Sequence, residues 1–100
     1  MRIFISAPYT NPDPCINVRE VIFAAEVLIK KGHIPFLPHL NHLWHLICSH
    51  PIEFWYDFDL KWLDVCDAIL RLPGESYGAD REIEYAINKG KKVFYGIDEL

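Results

Sequence analysis

Between Leu72 and Ala86 a short apolar run ends, a loop of Pro73, Gly74, Glu75 and Ser76 turns, and a helix opens carrying several carboxylates. Such a loop offers backbone N–H groups and a hydroxyl to an anion or a sugar oxygen, beside acids able to act as nucleophile or base. Glu82 is the first candidate. Placed in the opening turn of a helix, it would be favoured as the ionised form by the helix dipole. An ionised carboxylate in a sugar-binding cleft is the nucleophile of a retaining glycosyl transfer. Acids in first turns equally serve as dipole partners, and Asp80 and Glu84 meet that criterion as well.

Other residues can join it. Ser76 either caps the helix or holds a phosphate or sugar oxygen. Asp59 lies in an otherwise aromatic and apolar segment with Asp57 and Asp64 nearby. Against an aromatic wall its pKa would rise and it could exchange a proton with a leaving base; on the outer face of a helix it would do neither. Asp67, at the start of a buried-looking strand, reads as an acceptor of backbone N–H groups. His39, His42 and His45, with His33 and His50 nearby, have no Cys or acid at ligand spacing within the cluster. They read as the rim of a pocket and not as a metal site. Tyr9, in the first loop, either packs against a ligand or fills a turn.

The elements that position these groups follow from periodicity and punctuation. Arg2–Ser6 is a short β-favouring run, broken by Pro8, Pro12 and Pro14. From about Cys15 to Lys31, Val18, Ile22, Ala25 and Ile29, flanked by Val21 and Leu28, recur at helical spacing, and Gly32 closes the helix. Residues 33–38 are extended, with prolines that suit a short or edge strand. His39–Leu46 reads as a short helix or irregular turn. A helix over about 52–66 carries Phe54, Phe58, Trp62 and Val65 on one side. Asp67–Leu72 is a third strand, about 79–88 a last helix with Ile83, Ala86 and Ile87 inward, and Lys92–Tyr95 a fourth strand. This β-α-β-α-β-α-β order predicts one domain with a mostly parallel four-stranded sheet and helices on both faces. Right-handed crossovers put the loops after the first and third strands on one edge, so Pro8-Tyr9-Thr10 and Gly74-Glu75-Ser76 should be neighbours.

Composition narrows the partners. One hundred residues, half of them apolar, suffice for a core without metal or disulfide staples. A net charge of −4, with basic residues scattered apart from Lys89, Lys91 and Lys92, gives no face for polymeric nucleic acid. Three cysteines without a CxxC pair read as reduced thiols of a cytoplasmic protein. Met1 leads straight into a strand, which is read as leaving no room for a signal peptide, and no apolar run is long enough for a membrane partner.

Taken together, the residues resemble the nucleoside 2-deoxyribosyltransferase superfamily over nearly the whole chain. The resemblance starts at Ile3-Phe4-Ile5-Ser6-Ala7-Pro8-Tyr9, resumes at residues 32–39, at Asp59-Leu60 and at Cys66-Asp67-Ala68, and is strongest at residues 76–86. It implies a single flavodoxin- or Rossmann-like domain over residues 1–100. It also implies cleavage or exchange of the N-glycosidic bond of 2-deoxyribonucleosides or their 5′-monophosphates through a covalent glycosyl-glutamate. Ser76 and Glu82 match the six-residue spacing between the family's loop Ser or Asp and its nucleophile, and Asp59 falls on the acid that orients or protonates the base. Tyr9, Ser76, Gly78, His39 and Glu84 are the residues expected around the substrate. Glu84 stands where the family usually has Gly, which keeps it open as an alternative working carboxylate. No cofactor or metal is implied. The expected partners are a small nucleoside or nucleotide and further copies of the chain, as a homodimer or higher homo-oligomer. The alternative is a nucleoside-binding module that keeps the fold without the chemistry.

Overall fold

A computed structural model describes residues 1–100. Its sheet is built on β1 (Arg2–Ser6), whose Ile3, Phe4, Ile5 and Ser6 are all buried. An unbroken apolar run of this kind suits a strand covered on both faces. α1 (Pro14–Lys30) follows, capped by the Asp13 carboxylate, which accepts the N–H groups of Cys15 and Ile16. β2 (Ile34–Phe36) lies at one edge. A 3₁₀ turn over Pro38–Asn41 leads into α2 (His42–Ile47), then α3 (Ile52–Asp64), β3 (Ala68–Arg71), α4 (Tyr77–Asn88) and β4 (Lys92–Phe94). The strand order is β2-β1-β3-β4 and every pairing is parallel. The chain is thus a single α/β domain with a four-stranded parallel sheet.

Alternation along the strands divides the core between two faces. Ile3, Ile5, Ala68 and Leu70 pack on Val21, Ala24, Ala25 and Leu28 of α1. Phe4 and Ile69 point the other way, onto Leu63 in the last turn of α3 and Ile83 and Ala86 of α4. None of the helices is long and apolar enough to cross a membrane.

The inward faces differ from expectation in three helices. On α1, Ile22 and Ile29 are exposed, the latter at 55%, while Ala24 is buried. The helix is apolar on most sides, and the two alanines let its backbone approach the sheet. On α3 the buried anchor is Leu63; Trp62 stacks on Phe36 at 4.9 Å and Val65 is exposed. On α4, Ile87 is exposed, and the helix starts two residues before the expected 79, with Ser76 as its cap.

Because β1 and β3 are direct neighbours, the loops that leave their carboxyl ends touch, as the topology requires. Gly74 sits at φ +121, and a Cβ there would lie 2.7 Å from Cγ of Pro8. The Arg71 guanidinium braces the same loop, donating to the carbonyls of Leu72 and of Gly74 (2.8 Å) and to Asp80 Oδ1 (3.0 Å). At the opposite edge, Asp67 accepts the N–H of Arg2 at 2.8 Å, the role its position implied.

Gly74→Ala should combine backbone strain with a clash, costing about 1–3 kcal/mol and at least about 4 °C in Tm. Gly90, also at positive φ but facing open space, is the control. Thermal melts in which Gly74→Ala costs no more than Gly90→Ala would show that the Pro8 contact does not constrain the loops.

Candidate active site

The site begins at the last residue of β1. Ser6 is buried, and its hydroxyl donates to Glu82 Oε1 at 2.7 Å, with the Ala79 carbonyl at 3.3 Å. Glu82 belongs to the second turn of α4, beyond reach of the free N–H groups at the helix start. At that end the Ala79 N–H is already held by Ser76 Oγ at 3.1 Å. The expected dipole stabilisation therefore does not govern this carboxyl. Burial does, raising its pKa to about 8. The Ser6 hydrogen bond opposes the rise, Asp59 adds to it by like charge, and Arg71 and Arg81 oppose it.

α3 supplies the facing wall. Asp59 is partly buried, its Oδ1 has no hydrogen-bond partner, and burial lifts its pKa to about 7. Of its two sequence readings, the structure realises the carboxyl among aromatic neighbours. Trp55 and Tyr56 stand one turn earlier on the same cleft. Tyr56 comes so near the start of α4 that a Cβ on Gly78 would meet its ring at 3.1 Å. Arg81 lies over the Tyr56 ring at 4.8 Å and near Tyr77 at 5.9 Å.

The loop after β1 closes the third side. His39 is buried, with Nε2–H donating to the Pro8 carbonyl at 2.7 Å, and burial lowers its pKa. Tyr9 packs edge-on against His39 and His42, and its hydroxyl is hydrogen-bonded to His42 Nδ1. Asn17 of α1 fixes the loop by donating to the carbonyls of Tyr9 (2.9 Å) and Asn11 (3.0 Å). His45 Nδ1 accepts the Trp55 indole N–H at 2.8 Å. No group of three or more His, Cys, Asp or Glu side chains converges as metal ligands.

Together these walls enclose a cleft of about 450 Å³. Tyr9, His39, Asp59, Ser76, Gly78 and Glu82 all line it. Glu84 does not. It is exposed two residues beyond Glu82, bordering a separate dent with Arg71 and Asp80. A step of two residues turns a helical side chain through about 200°, so the two glutamates cannot serve one site. Sequence reasoning missed Ser6, Trp55 and Tyr56, whereas His42 lines the cleft with His39 and His45 as the histidine-rich rim it expected. Trp55 and Tyr56 carried a signal, preceding Asp59 by four and three residues and so sharing its face. Ser6 carried only its polarity at the end of an apolar strand.

The family described as Domain of unknown function (DUF4406) matches residues 1–95. Among solved structures, a 2-deoxyribosyltransferase from the psychrotolerant bacterium Bacillus psychrosaccharolyticus shares 24% identity with this chain. The likeness covers 93% of this chain and 69% of that one, with a TM-score of 0.73, and at that identity it is a likeness of fold. No curated protein matches the chain.

The raised carboxyls make stability depend on pH. Glu82 has an ordinary value of 4.5 and a folded value of about 8, so the folded state holds its proton more tightly. That contribution is complete below the unfolded value and is lost as pH rises through the folded one. The Glu82→Gln variant has no such proton to lose. Its Tm should match wild type near about pH 4 and exceed it by about 4 °C or more near about pH 9. Parallel melting curves across that range would refute the assignment.

Proposed function

We propose that this chain, which belongs to the family of domains of unknown function DUF4406, cleaves or exchanges the N-glycosidic bond of 2-deoxyribonucleosides or their 5′-monophosphates. One observation carries the reading: two carboxyls with raised pKa, Glu82 and Asp59, share one cleft, and a buried serine fixes the orientation of the first. The fold likeness to a protein named 2-deoxyribosyltransferase supports it, as does the Ser76–Glu82 spacing that resembles that superfamily.

The chemistry follows from the two acids. Ionised Glu82 attacks C1′ on the face opposite the base. The C1′–O bond forms as the C1′–N bond breaks, and the electron pair goes to the departing nitrogen. Protonated Asp59 gives that nitrogen its proton. A second base or water then attacks C1′ and releases Glu82, with Asp59 taking back a proton, so two inversions give retention. The Ser6 hydroxyl favours the ionised form of Glu82 and aims one of its oxygens. Tyr9, His39, Ser76 and Gly78 shape the sugar side of the cleft, and Trp55 and Tyr56 offer aromatic faces near Asp59.

A second reading rests on the same acidity. Glu82 with a value near about 8 is largely protonated in the free protein at neutral pH, and a protonated carboxyl binds without attacking. Under that reading the domain holds a nucleoside and leaves its bond intact.

Incubation with 2-deoxynucleosides and their 5′-monophosphates, with and without a second free base, separates the two. Base release followed by chromatography should fall at least about 10³-fold in Glu82→Ala and stay within about twofold in the exposed Glu84→Ala. Binding without release from any member of the panel would leave the second reading.

The pH dependence adds an independent test. Ionised Glu82 and protonated Asp59 are both required, so kcat/KM should be bell-shaped with limbs near about 7 and 8. Asp59→Asn should lower the rate about 10²–10⁴-fold. It also removes the lower of the two titrations, so the bell should become a single rise with pH governed by Glu82 alone, with no alkaline limb. An unshifted bell in that variant would contradict the roles assigned.

A further inference from the structure

We infer that Ser6 is a positioning residue that divides the work of the two Glu82 oxygens. Oε2 attacks the sugar, while Oε1 stays on the serine, whose hydroxyl shortens the life of the glycosyl ester by receiving the carboxylate as it leaves. The inference rests on the glycosidic reading above and adds how its intermediate is resolved.

Ser6 sits behind the cleft and not in its wall. It is 1% exposed and does not border the cleft, whereas Glu82 does. Its hydroxyl holds Oε1 at 2.7 Å, so that oxygen faces the end of β1. Oε2 has no hydrogen-bond partner and, unlike Asp59 Oδ1, is not sealed from solvent. Oε2 is therefore the oxygen free to meet C1′.

The serine has one hydrogen and two acceptors. The Ala79 carbonyl stands 3.3 Å from the same Oγ, and a hydroxyl donates once. Which acceptor prevails follows the charge on Glu82, because charge-assisted hydrogen bonds are roughly twice as strong as neutral ones. Ionised Glu82 takes the hydrogen. In the ester, Oε1 is an uncharged carbonyl oxygen, and Ala79 competes for it on closer terms. As the ester breaks, a lone pair of the incoming base nitrogen or water oxygen forms the new bond to C1′. The C1′–Oε2 electron pair returns to the carboxylate, part of its charge reaches Oε1, and the proton of the incoming group passes to Asp59. Ser6 meets that charge with a donor already in place.

The test is the lifetime of the glycosyl-protein. Wild type, Ser6→Ala and Ser6→Thr are mixed with excess 2-deoxynucleoside, which is then removed by rapid gel filtration. Loss of the deoxyribosyl mass is followed by intact-protein mass spectrometry. Ser6→Ala should lose the adduct at least about tenfold more slowly than wild type, and Ser6→Thr, which returns a hydroxyl, should stay within about threefold of it. Should the alanine variant not fold, Ser6→Cys, similar in size but a weak donor, takes its place with an expected slowing of at least about threefold. A variant without the hydroxyl that sheds the adduct as fast as wild type overturns the inference. Equal slowing in Ser6→Thr overturns it too, since packing and not the hydroxyl would then be the cause. Either result, with base released by wild type, leaves the glycosidic reading standing. Absence of both release and adduct in wild type defeats the two together.

Discussion

The site depends on β1 and β3 lying side by side in parallel, with Ser6 and Arg71 as register partners at their carboxyl ends. From these two adjacent residues the polar architecture branches. Ser6 reaches across to Glu82 on α4, and Arg71 holds the loop that leads into the same helix. Gly74 lets that loop lie against Pro8, so both loops close on one cleft. A slip of one residue in β1 would send Ser6 to the α1 face and leave Glu82 without its partner.

Burial at this edge has a chemical consequence. Glu82 and Asp59 are removed from water with few donors in return, and Asp59 Oδ1 has none. An unpartnered buried acceptor costs on the order of 1–3 kcal/mol, and the two acids also repel one another. A ligand that places a donor at Asp59 and a developing positive charge at Glu82 would relieve both penalties. Under the proposed chemistry, the cationic sugar centre of the transition state would relieve more of these penalties than the ground state does.

Much of this was legible in the chain. Alternation of apolar runs with helical spacing fixed the parallel sheet, and short crossovers brought the Pro8 and Gly74 loops together. Asp59 was legible as an acid in aromatic and apolar company, Glu82 as one of several acids at the start of a helix, and the resemblance of residues 76–86 supplied the reason to choose Glu82. The details that depend on packing were not. α1 is apolar on most sides, so periodicity allowed more than one inward face, and the small Ala24 and Ala25 decided it. The acidity of Glu82 was expected to follow the helix dipole, but the helix begins two residues earlier and burial prevails. Ser6 could not be singled out, because its partner lies 76 residues away in the chain. Glu84, close in sequence, is turned away in space.

The most direct measurement is acid quench of the protein during turnover of a 2-deoxynucleoside, followed by intact-protein and peptide mass spectrometry. The account predicts a mass gain of one deoxyribosyl unit, mapped to Glu82 and absent from Glu82→Ala. Base release with no adduct at any quench time, or an adduct carried by Glu84 or Asp59, would contradict it.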